Sequence, residues 1–126
     1  MRAVNTNVVI RLVARDDPKQ AAAAEAFVAA GAWVPHLVLV EAVWVLASVY
    51  GLEPAAVATA VEMLLNHRNL VLQDQDVVAA ALRHYRNRPA VGFSDCLVLE
   101  VARRAGHLPL GTFDRNLSKS DGVERL

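Results

Sequence analysis

The chain's first polar interruption comes early. Ala3-Val4 and Val8-Val9-Ile10 flank the polar triplet Asn5-Thr6-Asn7. This predicts a short buried strand ending at Asn5, then a helix to about residue 14. Asp16-Asp17-Pro18 breaks the chain; proline suits a helix start, where its missing N–H would have no partner anyway. The Ala-rich stretch 20–30 predicts a second helix, with Phe27 and Val28 on one face and Gly31 as its stop. Ala32-Trp33-Val34-Pro35 reads as a second strand. Residues 36–50 are apolar nearly all round, a pattern expected of a deeply buried helix. Glu53-Pro54 opens another helix to residue 67, and Leu70-Val71-Leu72 is a third strand. Residues 76–86 read as a helix with Val77, Leu82 and Tyr85 inward. Gly92-Phe93-Ser94-Asp95 reads as a turn and cap before an apolar helix over 96–105, closed by Gly106. Residues 108–112 form a fourth strand, although Pro109 does not suit a strand interior. Residues 114–117 are a loop or short helix, and Val123-Glu124 an edge strand.

Short apolar strands alternating with helices argue for an α/β sandwich, its parallel sheet covered on both faces. The 126 residues fit one domain, 1–126, and at 55% hydrophobic they have ample material for a core. There is no low-complexity tract, linker or repeat. Lys plus Arg equals Asp plus Glu at 13 each, so a broad basic surface is excluded. Any nucleic acid would be gripped locally, through a patch or a bound cation. Cys96 is the only cysteine, which excludes an internal disulfide and suits a reducing cytoplasm. The N-terminal residues do not read as a signal peptide. The most apolar stretch, 37–47, is too short to span a bilayer and contains Glu41. The expectation is a cytoplasmic protein with no membrane partner.

In open parallel sheets, ligands bind outside the carboxyl ends of the strands. Asn5 follows the first strand, Asp114 follows the fourth, and Ser94-Asp95 stands at a helix start. Taken alone, Asp95 reads as a helix cap and Asp114 as a loop acid. Glu41 differs, because no charge lies within several residues of it in Leu37-Val38-Leu39-Val40-Glu41-Ala42-Val43-Trp44-Val45-Leu46. A lone carboxylate in a buried helix costs several kcal/mol unless paired or neutralised. Glu41 is therefore either salt-bridged to an Arg of another helix or a metal ligand or tuned acid. Trp33 and Trp44 are expected in the core. Two carboxylates about 4 Å apart repel by roughly 4 kcal/mol at an effective dielectric of about 20, so a cluster of them calls for a cation. Oxygen ligands without a His or Cys cluster suit Mg²⁺ or Mn²⁺. His36, His67, His84 and His107 lack zinc-ligand spacing and read as surface or packing residues.

Met1-Arg2-Ala3-Val4-Asn5-Thr6-Asn7-Val8-Val9 resembles the start of a PIN domain, where an Asp-Thr/Ser-Asn triplet follows the first strand. Val40-Glu41 on an apolar helix is similar to the family's second acidic position, Phe93-Ser94-Asp95 to the third, and Gly111-Thr112-Phe113-Asp114 to the fourth. Order, spacing and length agree along the whole chain, and the resemblance is greatest to VapC-type toxins of bacterial toxin–antitoxin pairs. It implies a three-layer α/β/α sandwich with a short, mainly parallel central sheet. It further implies Mg²⁺- or Mn²⁺-dependent hydrolysis of RNA at a centre formed by Asn5, Glu41, Asp95 and Asp114. Asp95 and Asp114 would ligate metal or position water, and Glu41 would ligate or support. Thr6, Thr112 and Asn116 either orient carboxylates and water or serve as turn and cap residues.

Asn5 departs from the family pattern, which has Asp there. Its amide oxygen can touch a cation but brings no negative charge and cannot act as a base. Weak metal binding and little cleavage are expected, whether the substitution is engineered or natural. Arg83, His84, Tyr85, Arg86 and Arg88 form a basic segment before Asp95. Arg11 and Arg15 follow the first acidic position; Arg115 and Lys119 flank the last. Arg88, Arg86 and Arg115 are candidate RNA contacts with Tyr85 as a stacking ring. Arg83 and Arg86 also read as a solvated helix face. The resemblance implies a homodimer and a cognate antitoxin whose tail covers the active site. The alternative is a non-catalytic, antitoxin-binding module in a regulatory complex. A receiver domain and a haloacid dehalogenase-type phosphatase lack their acidic pairs here.

Overall fold

Every strand pairing is parallel, as the alternation of strands and helices requires. The structure is a computed structural model that describes residues 1–126. Its elements run β1 (Arg2–Ala3), α1 (Thr6–Ala14), α2 (Pro18–Val28), β2 (Ala32–Val34), α3 (His36–Ser48), α4 (Pro54–Asn66), β3 (Leu70–Leu72), α5 (Gln75–Asn87), α6 (Phe93–Ala105), β4 (Leu110–Thr112) and β5 (Val123–Arg125). Single 3₁₀ turns cover Pro89–Val91 and Leu117–Lys119. No helix is long and apolar enough to cross a membrane. The chain divides into two compact units, Met1–Gln75 and Asp76–Leu126.

In the N-terminal unit the strand order is β1-β2-β3, with Ala3 beside Trp33 and Trp33 beside Val71. One sheet face carries Ala32, Val34, Leu70 and Leu72, all buried; the other carries Ala3, Trp33 and Val71, which stay partly open. The polar triplet ends β1 as predicted. Asn5 is the N-cap of α1, its Oδ1 accepting the Thr6 N–H at 2.7 Å, and Val9, Ile10 and Leu12 turn inward. Asp17 caps α2 by accepting the Gln20 N–H at 3.0 Å, with Pro18 in the first turn.

The all-round apolar pattern of α3 misleads. Only Leu39, Ala42 and Leu46 are buried, a stripe at i, i+3 and i+7, while Leu37, Trp44 and Val49 are exposed. The physical reason is that α3 has helical neighbours, α1 and α4, along only part of its circumference. Deep burial of this helix is therefore incorrect, and so is a core position for Trp44, at 63% exposed, and for Trp33 at 36%.

A polar network closes the turn between α1 and α2. Arg11 Nη1 donates to Asp16 Oδ1 at 2.9 Å and to Tyr50 Oη at 3.3 Å, and Nε donates to Gln20 Oε1 at 2.6 Å. Tyr50 Oη in turn donates to Asp16 Oδ2 at 2.9 Å. Arg15 pairs with Glu25.

In the C-terminal unit, Tyr85 near the end of α5 meets Phe93 at the start of α6 edge to face, with centroids 5.9 Å apart. Helix α6 begins at Phe93 rather than at residue 96. Gly92 is its N-cap with φ 88°, a backbone conformation open to glycine and strained for other residues. Pro109 lies just outside β4, which removes its conflict with the strand. β4 pairs with β5, Leu110 beside Val123.

Two outcomes test this packing. Leu46→Ala should cost about 2–5 kcal/mol by urea denaturation, whereas Trp44→Ala should stay within about 0.5 kcal/mol; equal costs would refute the one-sided burial of α3. The second concerns pH. The Tyr50 hydrogen bond, followed by a backbone hydrogen bond and then by the charge and hydrogen bond of Arg11, holds the Asp16 carboxyl below its ordinary value. A carboxylate depressed in the folded state stabilises above its unfolded pKa of about 3.9 and loses that contribution as pH falls through the folded value. Asp16→Asn should therefore flatten the acid limb of the stability curve. An unaltered limb would show that the network contributes nothing to acid stability.

Candidate active site

Two carboxylates of the C-terminal unit interact electrostatically. Asp95 is the third residue of α6, in the first turn, where backbone N–H groups favour negative charge. It is half-buried and makes no hydrogen bond or ion pair. Its carboxyl is pushed above the ordinary value, first by burial and then by the charge of Asp114. Asp114 is more exposed and tightly posed. Thr112 Oγ1 accepts the Asp114 N–H at 3.0 Å, and Asp114 Oδ1 accepts the Leu117 N–H at 2.7 Å. The Asp114 carbonyl accepts from Ser118 N–H at 3.1 Å. These bonds leave Asp114 Oδ2 unpartnered.

The expected roles sort themselves against this geometry. Asp95 is not the helix cap; Gly92 is. Thr112 orients the backbone of Asp114 rather than its carboxylate. Asn116 precedes the Leu117–Lys119 turn and makes no capping bond with its side chain. Asn5, Thr6 and Glu41 belong to the N-terminal unit. Thr6 is buried behind the Asn5 cap. Glu41 is exposed and has no ion pair, so the desolvation argument that singled it out does not hold. It lies off the buried stripe of α3, and its place among the candidates rests on the resemblance alone. Within neither unit do three or more His, Cys, Asp or Glu side chains gather into a group that could hold a metal.

The expected RNA contacts divide in the same way. Tyr85 is buried against Phe93 and is not free to stack on a base. Arg11 and Arg15 are engaged with Asp16, Tyr50, Gln20 and Glu25. Arg86 and Arg115 are exposed, and Arg88 lines a groove with His84, Lys119 and Ser120. Sequence reasoning missed the pairing of His84 with Ser120, 3.0 Å apart, because nothing local links residues 36 positions apart. Cys96, beside Asp95, has its thiol pushed up to about 12 by burial and the charges of Asp95 and Glu100, so it is inert as a nucleophile.

Compared with protein families, residues 3–123 match the PIN domain. The chain belongs to the PIN domain family. No curated protein and no solved structure matches it significantly. Six helices with short parallel strands fit a PIN-like α/β/α fold. PIN domains are generally metal-dependent nucleases, which gives the chain a nuclease-type function, and they typically use divalent metals. The donor chemistry fits such an ion in part. Asp95 and Asp114 are hard oxygen donors, and Asp95 has a charge with no partner.

The coupling of the two acids is testable. Asp114→Asn should lower the Asp95 carboxyl towards its ordinary value in metal-free buffer, followed by carbon-detected NMR titration. An unmoved midpoint would assign the whole shift to burial.

Proposed function

We propose that the protein is a Mg²⁺- or Mn²⁺-dependent endoribonuclease of the VapC toxin type, and that the Asn5 form cleaves RNA poorly or not at all. The observation that carries this reading is the Asp95–Asp114 pair: a half-buried, unpartnered carboxylate beside a second one, in a chain of a nuclease family. Asp95 and Asp114 would hold the ion, with Glu41 and Asn5 taking the remaining family positions. A bound Mg²⁺ or Mn²⁺ would make an attacking water more acidic and would offset negative charge on the phosphate and the leaving oxygen.

The chain's own groups do the rest. The Leu117 N–H fixes one oxygen of Asp114, so the other has a defined direction. Burial keeps Asp95 short of compensating charge, which strengthens its attraction for a cation over that of a solvated acid. Asn5 supplies an amide oxygen that is already engaged with the Thr6 N–H, and no charge. The family match spans both units, which supports reading 1–126 as one PIN domain. An RNA strand is the substrate, a cognate antitoxin and a second copy of the chain are the partners, and the single buried Cys96 fits a reducing cytoplasm.

A second reading is a non-catalytic module that retains antitoxin binding. Asn5 favours it, because the helix cap survives there without the charge that catalysis needs.

One variant separates the two. Asn5→Asp keeps the cap and restores the charge, and should raise Mn²⁺-dependent RNA cleavage on the order of a hundredfold. A folded Asn5→Asp protein with no cleavage of any RNA in Mn²⁺ or Mg²⁺ would overturn the nuclease reading and leave the binding module.

A further inference from the structure

The C-terminal unit contains a polar groove of about 360 Å³, near the lower end of the roughly 300–1,000 Å³ usual for ligand clefts. His84, Asn87 and Arg88 form one wall, Leu99, Glu100 and Arg103 another, and Lys119, Ser120 and Asp121 the third. Asp95, Leu99 and Arg103 follow at i, i+4 and i+8 on α6, so two of the groove's residues lie along the helix from Asp95.

The charges in the groove are unevenly committed. Arg103 is spent internally, its Nε donating to Glu100 Oε2 at 3.3 Å and its Nη2 to the Asp121 carbonyl at 3.1 Å. His84 Nε2 and Ser120 Oγ are hydrogen-bonded to each other at 3.0 Å across the groove. Arg88 and Lys119 have no side-chain partner. Two unpaired cations therefore face a groove whose acids are Glu100, already paired, and Asp121. In a chain of zero net charge, that is a local excess of positive charge with room beside it.

We propose that this groove is a phosphodiester subsite, in which Arg88 and Lys119 hold a backbone phosphate of the nucleic-acid strand other than the one at the bond that is cut. The identity of the strand as RNA rests on the nuclease reading above; the binding itself does not. Arg88 presents a planar fork suited to two phosphate oxygens, and Lys119 a point charge.

The test is fluorescence anisotropy of labelled RNA and DNA 12-mers with the Asn5 protein in EDTA, across a salt series. Arg88→Gln with Lys119→Gln should weaken RNA binding about ten- to a hundredfold at low salt. It should also flatten the plot of log affinity against log salt by about 1.4, two phosphate contacts at about 0.7 each. The charge-preserving pair, Arg88→Lys with Lys119→Arg, should keep most of the affinity, which separates lost charge from lost fold. Arg68→Glu, an exposed cation of the N-terminal unit, should leave binding unchanged. A parallel loss on DNA supports the subsite and shows that phosphates rather than 2′-hydroxyls are read; a loss on RNA alone supports it with the 2′-hydroxyl included. Unchanged affinity and slope in the Gln pair, or an equal loss in Arg68→Glu, overturns the proposal. If the groove binds while Asn5→Asp does not cleave, the nuclease reading falls and the subsite stands.

Discussion

Two carboxylates close enough to feel each other's charge make up the constraint on which the C-terminal unit's chemistry depends. Asp95 sits where the first turn of α6 would favour an anion, yet its carboxyl is still raised, first by burial and then by Asp114. Burial and like charge outweigh the helix terminus. A carboxyl whose folded pKa is raised contributes its full stability below the unfolded value of about 3.9 and loses it as pH rises through the folded value. In its ionised form Asp95 therefore works against the fold. Neighbouring elements hold the arrangement in spite of this. Gly92 turns the chain into α6 with a positive φ, Phe93 anchors the first turn against Tyr85, and the Thr112-Asp114-Leu117 bonds pin the opposing acid.

The same logic separates the polar groups that serve the fold from those that do not. Asp16 and Asp17 are both satisfied by donors, one by Tyr50 and Arg11, the other by the Gln20 N–H of α2. Their charges stabilise local structure. Asp95 has no donor at all, and Arg88 and Lys119 have no acceptor. No buried side-chain N or O lacks a partner, so a half-buried carboxylate without a donor beside a second acid, and two cations without acceptors on one groove, are the places where a ligand would improve the electrostatics most.

Much of the fold was legible in the residues. Gly106 caps α6 as expected, α2 and α3 end two residues short of Gly31 and Gly51, Asp17-Pro18 starts a helix, and the apolar triplets at 32–34 and 70–72 are strands. The start of α6 was not legible, because Gly92 does the capping and Asp95 looks like the better cap. The burial of α3 was not legible either. An all-apolar helix reports its composition but not how many neighbours surround it, and here the buried stripe is Leu39, Ala42 and Leu46. The same holds for Glu41: isolation from other charges in sequence does not place it in a core, and it is exposed. Asp95 and Asp114 stand out in the sequence only by motif order, while the His84–Ser120 pair, set by tertiary packing alone, leaves no trace in the spacing.

The acid positions also differ in what the fold asks of them. At position 5 the backbone needs only a side-chain oxygen to accept the Thr6 N–H, and Asn and Asp cap a helix about equally well. Losing the charge there is structurally silent. At position 114 an amide could likewise accept from the Leu117 N–H, so the turn alone does not demand a carboxylate. Position 95 is the informative one. Its side chain accepts no hydrogen bond, caps nothing, and carries a charge that burial opposes. Burial and the charge of Asp114 would both be better served by a neutral residue. An ionisable group that the fold does not need and that burial opposes is what a bound cation would account for, and this is why the proposed nuclease reading leans on Asp95 more than on any other residue.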